Sequence, residues 1–194
     1  AEGIRDLLAR GNESKVVIFS SNSTTTVPGV TPEIVKAFWD RDFNTVLKIA
    51  NQSEAPSTSV YAGSKTALAH WVRRTATSMD WAGQGIRMNA LAPGAILTPM
   101  VESQLEIPEH AEQIKALPIP LGGFGDPADI AQWVLFMLSP AANFLCGSVI
   151  FLDGGTDAWF RANDFPLPLA PEQMEHFTKR YQEYQEFRKQ RDGK

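Results

Sequence analysis

Tyr61 and Lys65 stand four residues apart in the string Tyr61-Ala62-Gly63-Ser64-Lys65. On a helix that spacing puts both side chains on one face. A free phenol titrates near 10, too high for easy proton exchange near neutrality, and an ammonium close by favours the phenolate. Such a pair could do acid–base chemistry. The spacing alone decides little. With three tyrosines in 194 residues, chance supplies about 0.12 matches to Y-x-x-x-K, and an ordinary surface pair fits as well. His70, His110 and His176 are scattered, so no metal site is expected. Cys146, the only cysteine, can make neither an internal disulfide nor a cysteine-rich zinc site. Its setting, Phe144-Leu145-Cys146-Gly147, reads as that of a buried, small apolar residue.

The elements around the pair alternate. Ile4, Leu7 and Leu8 have helical spacing up to Gly11-Asn12. Lys15 to Phe19 is a short β-branched and aromatic run, hence a buried strand, and Ser20 to Thr26 reads as a loop. A helix is expected over 32–52, with Thr31 as cap, Pro32 at its first position and an interruption near Asp40-Arg41-Asp42. The helix carrying Tyr61 and Lys65 should run from about 60 to 81 and stop at Gly83-Gln84-Gly85. A second strand is expected over 86–91, stopped by Pro93-Gly94. Residues 98–120 read as irregular apart from a helix at 109–116. Asp126 and Pro127 open a further helix, and a third strand is expected over 148–152. Short continuous apolar strands alternating with helices predict an α/β fold: a parallel sheet covered on both faces. After the stiff string Leu167-Pro168-Leu169-Ala170-Pro171 comes a helix with Met174, Phe177, Tyr181, Tyr184 and Phe187 in one stripe. Six basic and five acidic residues from Pro171 onward suit docking more than a nucleic-acid arm. A stripe of this kind is more often a packing face than a cofactor box.

Composition narrows the functional classes. The 43% hydrophobic and 21% charged fractions are those of a globular chain, so disorder and collagen are excluded. A net charge of -4 argues against nucleic acid and anionic membranes as partners. No apolar stretch approaches eighteen residues and no signal-peptide pattern is present, which makes a cytoplasmic protein the expectation.

Phe19-Ser20-Ser21, Tyr61-x-x-x-Lys65, Arg87-Met88-Asn89-Ala90-Leu91-Ala92-Pro93-Gly94, Pro127-Ala128-Asp129-Ile130-Ala131, Leu138-Ser139-Pro140 and Asp153-Gly154-Gly155 follow one another along the chain. In that order they resemble the successive landmarks of the short-chain dehydrogenase/reductase family, over residues 4–157. The resemblance implies a Rossmann-like, doubly wound sheet in three layers, and NAD or NADP as cofactor. Tyr61 resembles the catalytic tyrosine that exchanges a proton with the substrate oxygen. Lys65 resembles the lysine that hydrogen-bonds the nicotinamide ribose. Ser21 resembles the serine that holds the substrate carbonyl. It is favoured as the second serine after the strand, although Ser20 or Ser23 could be confused with it. Pro93, Gly94, Ile96 and Thr98 resemble the loop that meets the nicotinamide carboxamide. Thr98 could instead cap a following helix. Asn89 reads as satisfying backbone groups beside its strand rather than touching substrate.

Two departures qualify the resemblance. Ser21 and Tyr61 are 40 residues apart, further than in most members. The extra segment, about 27–57, is similar to that of a subgroup resembling bacterial 3α-hydroxysteroid dehydrogenase/carbonyl reductase, which slightly favours NAD. An inserted helix beside the Tyr61 helix would cover surface used by typical members for oligomer contacts, so an altered or smaller oligomer is expected. Second, no G-x-x-x-G-x-G loop occurs in the 194 residues, and the pyrophosphate of a dinucleotide rests on such a loop. The expected fold is therefore N-terminally truncated, with residues 1–166 forming the family domain and 167–194 an added helix. Such a chain alone is expected to be unstable, to aggregate or to need a partner.

Two functions remain open from the sequence. The first is an NAD(P)-dependent oxidoreductase interconverting a secondary alcohol and a ketone, a steroid or other hydrophobic carbonyl compound, inactive as this fragment alone. Its partners would be that small molecule and either a second copy or a missing N-terminal part. The apolar residues of 99–121 could form its lid. The alternative is a non-catalytic truncated paralogue acting as an interaction or oligomerisation module.

Overall fold

The computed structural model describes residues 1–193. Lys194, the last residue of the expected added helix, lies outside them. Strands β1 (Lys15–Phe19), β2 (Arg87–Pro93) and β3 (Val149–Leu152) form a parallel sheet in the order β1-β2-β3. Val16 pairs with Met88 and Ile18 with Ala90, while Leu91 pairs with Ile150. β2 is central, and Met88, Ala90, Leu91 and Ala92 have no exposed surface, because a strand hydrogen-bonded on both sides and covered on both faces leaves nothing for water.

Helices α1 (Arg5–Ala9) and α2 (Ser23–Thr26) flank β1. α2 is a single turn within the segment expected to be loop. The expected helix over 32–52 is two helices, α3 (Pro32–Asp40) and α4 (Phe43–Ala50). Arg41 takes a left-handed conformation, φ 57°, and the Asp42 carboxylate accepts from Thr45 N and Oγ1, so one helix stops and the next is capped at the same point. α5 (Pro56–Ala76) carries Tyr61 and Lys65 and starts earlier than expected, at a proline. α6 (Pro99–Leu105) occupies part of the stretch expected to be irregular, while α7 (Pro108–Lys115) is the helix expected at 109–116. Pro99 and Pro108 open these helices rather than break them. α8 (Pro127–Leu138), capped by Asp126, packs on β1, and α9 (Thr156–Phe160) and α10 (Met174–Asp192) complete the described chain.

The core has two parts. Val72 and Ala76 of α5 meet Trp81, Ile86, Met88 and Ala90, with Val16, Ile18 and Val149 around them. Ile34, Val35, Ala37 and Val46 of α3 and α4 meet Ala67 of α5. Trp39 Nε1 donates to Ala67 O at 3.0 Å, and the Arg74 guanidinium lies 4.0 Å from the Trp39 ring. α3 and α4 thus pack along the helix that bears Tyr61.

Candidate active site

The strand ends assemble the site. Ser20 N donates to Leu91 O and Asn22 N to Pro93 O at 3.0 Å, so the β1–β2 ladder continues past the end of β1. Gly94 N donates to Leu152 O at 3.0 Å, which continues the β2–β3 ladder likewise. Ser21, Pro93-Gly94 and Asp153 therefore stand side by side at the carboxyl edge of the sheet, where open α/β sheets bind ligands.

Helix α5 is tied to that edge at Lys65. Its Nζ donates to Phe19 O at 3.1 Å, and the Ser20 hydroxyl donates to Lys65 O at 3.2 Å. The ammonium lies 5.7 Å from the centre of the Tyr61 ring, the one-face arrangement expected of the spacing. Tyr61 is half-exposed, so its phenol is open to an incoming molecule.

The three serines differ in what their hydroxyls do. Ser20 is spent on the Lys65 carbonyl. Ser21 Oγ accepts from Ser23 N at 3.2 Å, which leaves its own proton to donate. Ser23 Oγ is buried without a hydrogen-bond partner among the described residues.

Gly94 explains the closeness of the strand ends. A Cβ there would stand 2.6 Å from Asp153 Cβ, 2.7 Å from Asp153 Cα and 3.2 Å from Asn22 Nδ2. Only a residue without a side chain lets Asn22, Gly94 and Asp153 converge. Asp153 is buried and builds the next turn: Oδ1 accepts from Gly155 N and Oδ2 from Asp157 N. Asp157 in turn pairs with Arg161 at 2.9 Å. Reading the sequence marked Asp153 only as a landmark and left Asn22 out. An Asp followed by two glycines was the available signal for this turn.

The remaining candidates diverge from the pair. Ile96 forms an isolated bridge with Gly125. Thr98 Oγ1 accepts from Val101 N and caps α6, so the capping role is the one its geometry displays. Asn89 donates to Leu145 O and accepts from Ser148 N, a backbone role, as read from the sequence. Cys146 is exposed rather than buried, with Sγ 3.4 Å from Ala76 O. It lies just before β3, where the chain turns at Gly147, and lines the cavity under α10. A cavity of about 590 Å³ opens beside Ile96, lined also by Ile119, Leu121, Asp153 and Trp133, but Tyr61 and Ser21 are not in its walls. Larger cavities of about 760 and 800 Å³ lie under α10 and along α5, away from the paired groups. The contacts of Lys65 with Phe19, Ser20 and the Tyr61 ring, not cavity size, therefore single out this edge as the candidate site. Among the described residues no three His, Cys, Asp or Glu side chains are placed to hold a metal ion, and no helix is long and apolar enough to cross a membrane.

The model of the family described as Enoyl-(Acyl carrier protein) reductase matches residues 44–157, which include Tyr61, Lys65 and the Pro93-Gly94 turn. The chain belongs to the short-chain dehydrogenase/reductase family. It is 37% identical over 117 residues to the 3-alpha-hydroxysteroid dehydrogenase/carbonyl reductase of Comamonas testosteroni, a match covering 60% of this chain and 45% of that protein. The fold superposes with TM-score 0.74 and 36% identity on the 3-alpha-hydroxysteroid dehydrogenase of Pseudomonas sp. B-0831 complexed with NADH, covering 84% of this chain and 63% of that one. A protein of Agrobacterium tumefaciens assigned as a 2-deoxy-D-gluconate 3-dehydrogenase, solved with bound NADP, gives TM-score 0.57 at 27% identity, covering 79% of this chain and 50% of that one. The chain thus spans about half the length of the curated relatives it matches. Membership makes this an oxidoreductase-family chain, with a Rossmann-like parallel sheet flanked by helices.

Proposed function

We propose that residues 1–166 carry the proton-transfer end of an NAD(P)-dependent oxidoreductase that interconverts a secondary alcohol and a ketone, with a steroid or other hydrophobic carbonyl compound as substrate. The observation that carries this reading is the tie between α5 and the end of β1: Lys65 Nζ donates to Phe19 O, the Ser20 hydroxyl donates to Lys65 O, and the Tyr61 ring stands beside the same ammonium, with Ser21 next along the chain. A reduced nicotinamide, when bound, would supply the hydride to the carbonyl carbon. Tyr61 gives its proton to the carbonyl oxygen, and in the reverse direction takes it back. Ser21, whose hydroxyl proton is uncommitted, donates to the same oxygen and holds it against Tyr61. Lys65 would hold a ribose hydroxyl from the same helical face. The backbone of Pro93 and Gly94 would face the carboxamide, with Ile96 and Thr98 completing that loop.

The residues present suit the nicotinamide end of a dinucleotide. Gly94 keeps the strand ends free of side-chain bulk, and Lys65 and Ser21 supply donors there. They do not supply the glycine-rich cradle for the pyrophosphate, since no G-x-x-x-G-x-G loop occurs in the 194 residues. We therefore assign cofactor capture to a glycine-loop unit outside these residues, with NAD slightly preferred, given that the C. testosteroni relative and the NADH-bound neighbour share the subgroup.

Calorimetric titration with NADH tests this division of labour. Residues 1–194 alone should take up NADH no more tightly than about millimolar, some 8 kcal/mol weaker than a nanomolar site. The same residues joined to a glycine-loop βαβ unit should bind it and reduce a hydrophobic ketone. Micromolar binding by residues 1–194 alone would place the cradle within them and contradict the assignment.

A further inference from the structure

Every residue from 162 to 184 is exposed. Within that stretch Phe165, Leu167, Leu169, Met174, Phe177, Tyr181 and Tyr184 present large apolar side chains to solvent. A run of that kind marks an interaction surface. Phe177 stacks on Tyr181 at 6.5 Å and Tyr184 on Phe187 at 5.9 Å, so the rings of α10 form two stacked pairs. The far half of α10 approaches the rest of the chain: Arg180, Glu183, Tyr184, Phe187 and Arg191 frame a cavity with Ala82 and Phe144.

We propose that this face binds a second copy of the same chain, with the two α10 helices antiparallel. Residues 174, 177, 181, 184, 188 and 191 recur at alternating steps of three and four, the period of a two-helix seam. They read Met, Phe, Tyr, Tyr, Arg, Arg. A two-fold axis between Gln182 and Glu183 sets Tyr181 beside Tyr184 of the second copy, Phe177 beside its Arg188, and Met174 beside its Arg191. The Phe177 ring of each copy thus meets the Arg188 guanidinium of the other, a cation–π match that occurs twice by symmetry. A parallel pair would stack Arg188 on Arg188 instead.

The charge distribution favours the same direction. Residues 172–186 hold four glutamates against Lys179 and Arg180, whereas residues 187–193 hold three basic side chains against Asp192. Reversal lays the acidic half of each helix along the basic half of the other. The Arg188–Asp192 pair, at 3.5 Å and well exposed, is a weak surface contact that can re-form within the dimer. Tyr and Arg are also the side chains that most often anchor interfaces.

Sedimentation equilibrium of the full chain from about 5 to about 200 µM tests the proposal. A monomer–dimer equilibrium is expected, and Tyr181→Glu should raise its dissociation constant at least about tenfold. Lys179→Ala, on the outer face of α10, should leave it unchanged. In a Cys146→Ser background, Met174→Cys combined with Arg191→Cys should form an intermolecular disulfide, while Met174→Cys alone should not. Circular dichroism checks that each variant keeps its helix content. A monomer throughout the range, association of any size that survives Tyr181→Glu, or cross-linking by Met174→Cys alone would overturn the proposal.

Discussion

At the scale of single residues, the site depends on what is absent as much as on what is present. Gly94 sits where Asp153 and Asn22 close in, so Gly94→Ala must push strand ends apart. Overpacking of this kind costs about 1–3 kcal/mol, and backbone contact on Asp153 Cα places it at the upper end. Chemical denaturation should show that loss, and an unchanged midpoint would contradict the geometry. Cys146 gives a second check. Its residue is exposed, yet burial of the thiol pushes its pKa up, against smaller opposing effects of the Met88 backbone and Arg87. The thiolate is the reactive form, so alkylation by iodoacetamide should be slow at neutrality and keep rising with pH beyond about 8.5. A plateau at or below the free-thiol value would contradict it. The pair Tyr61 and Lys65 was legible because a helix turns spacing into a shared face. The exposure of Cys146 was not, because apolar neighbours in sequence do not say whether a helix will cover them.

The elements show where local rules hold and where packing takes over. Caps and first-position prolines were readable: Thr31, Asp126 and Thr98 all accept from backbone N–H groups at helix starts. The division of 32–52 into α3 and α4 was only half readable. The apolar stripe faltered near Asp40, but the left-handed Arg41 is a backbone fact that no periodicity reports. The docking of α3 on α5 depends on Ile34, which is 2% exposed and lies 3.2 Å from where a Gly63 Cβ would be. Ile34→Ala should cost about 2–5 kcal/mol. Thermal melts followed by tryptophan fluorescence, with Trp39 reporting on α3, should reveal it. A loss below about 1 kcal/mol would mean that the α3–α4 pair contributes little to the fold.

Seen whole, the chain combines a closed centre with open flanks. β2 is sealed on every side, yet Phe19 on β1 and Trp133, Leu135, Phe136 and Leu138 on α8 remain exposed. A helix apolar all round normally lies buried. This supports the proposal that the chain works with a partner, at least through α10. The parallel sheet was legible, since short continuous apolar strands alternate with helices, but the strand order was not, because alternation does not say which strands are neighbours. The cavities were not, because they arise between elements far apart in sequence. The central claim is that Tyr61 moves the proton. Its most direct test is NADH-dependent ketone reduction by residues 1–194 joined to a glycine-loop unit, comparing the parent with Tyr61→Phe. The account predicts that loss of the phenolic hydroxyl lowers kcat by about 10²–10⁴-fold while NADH affinity is retained. A Tyr61→Phe variant that turns over at the parent rate would contradict it.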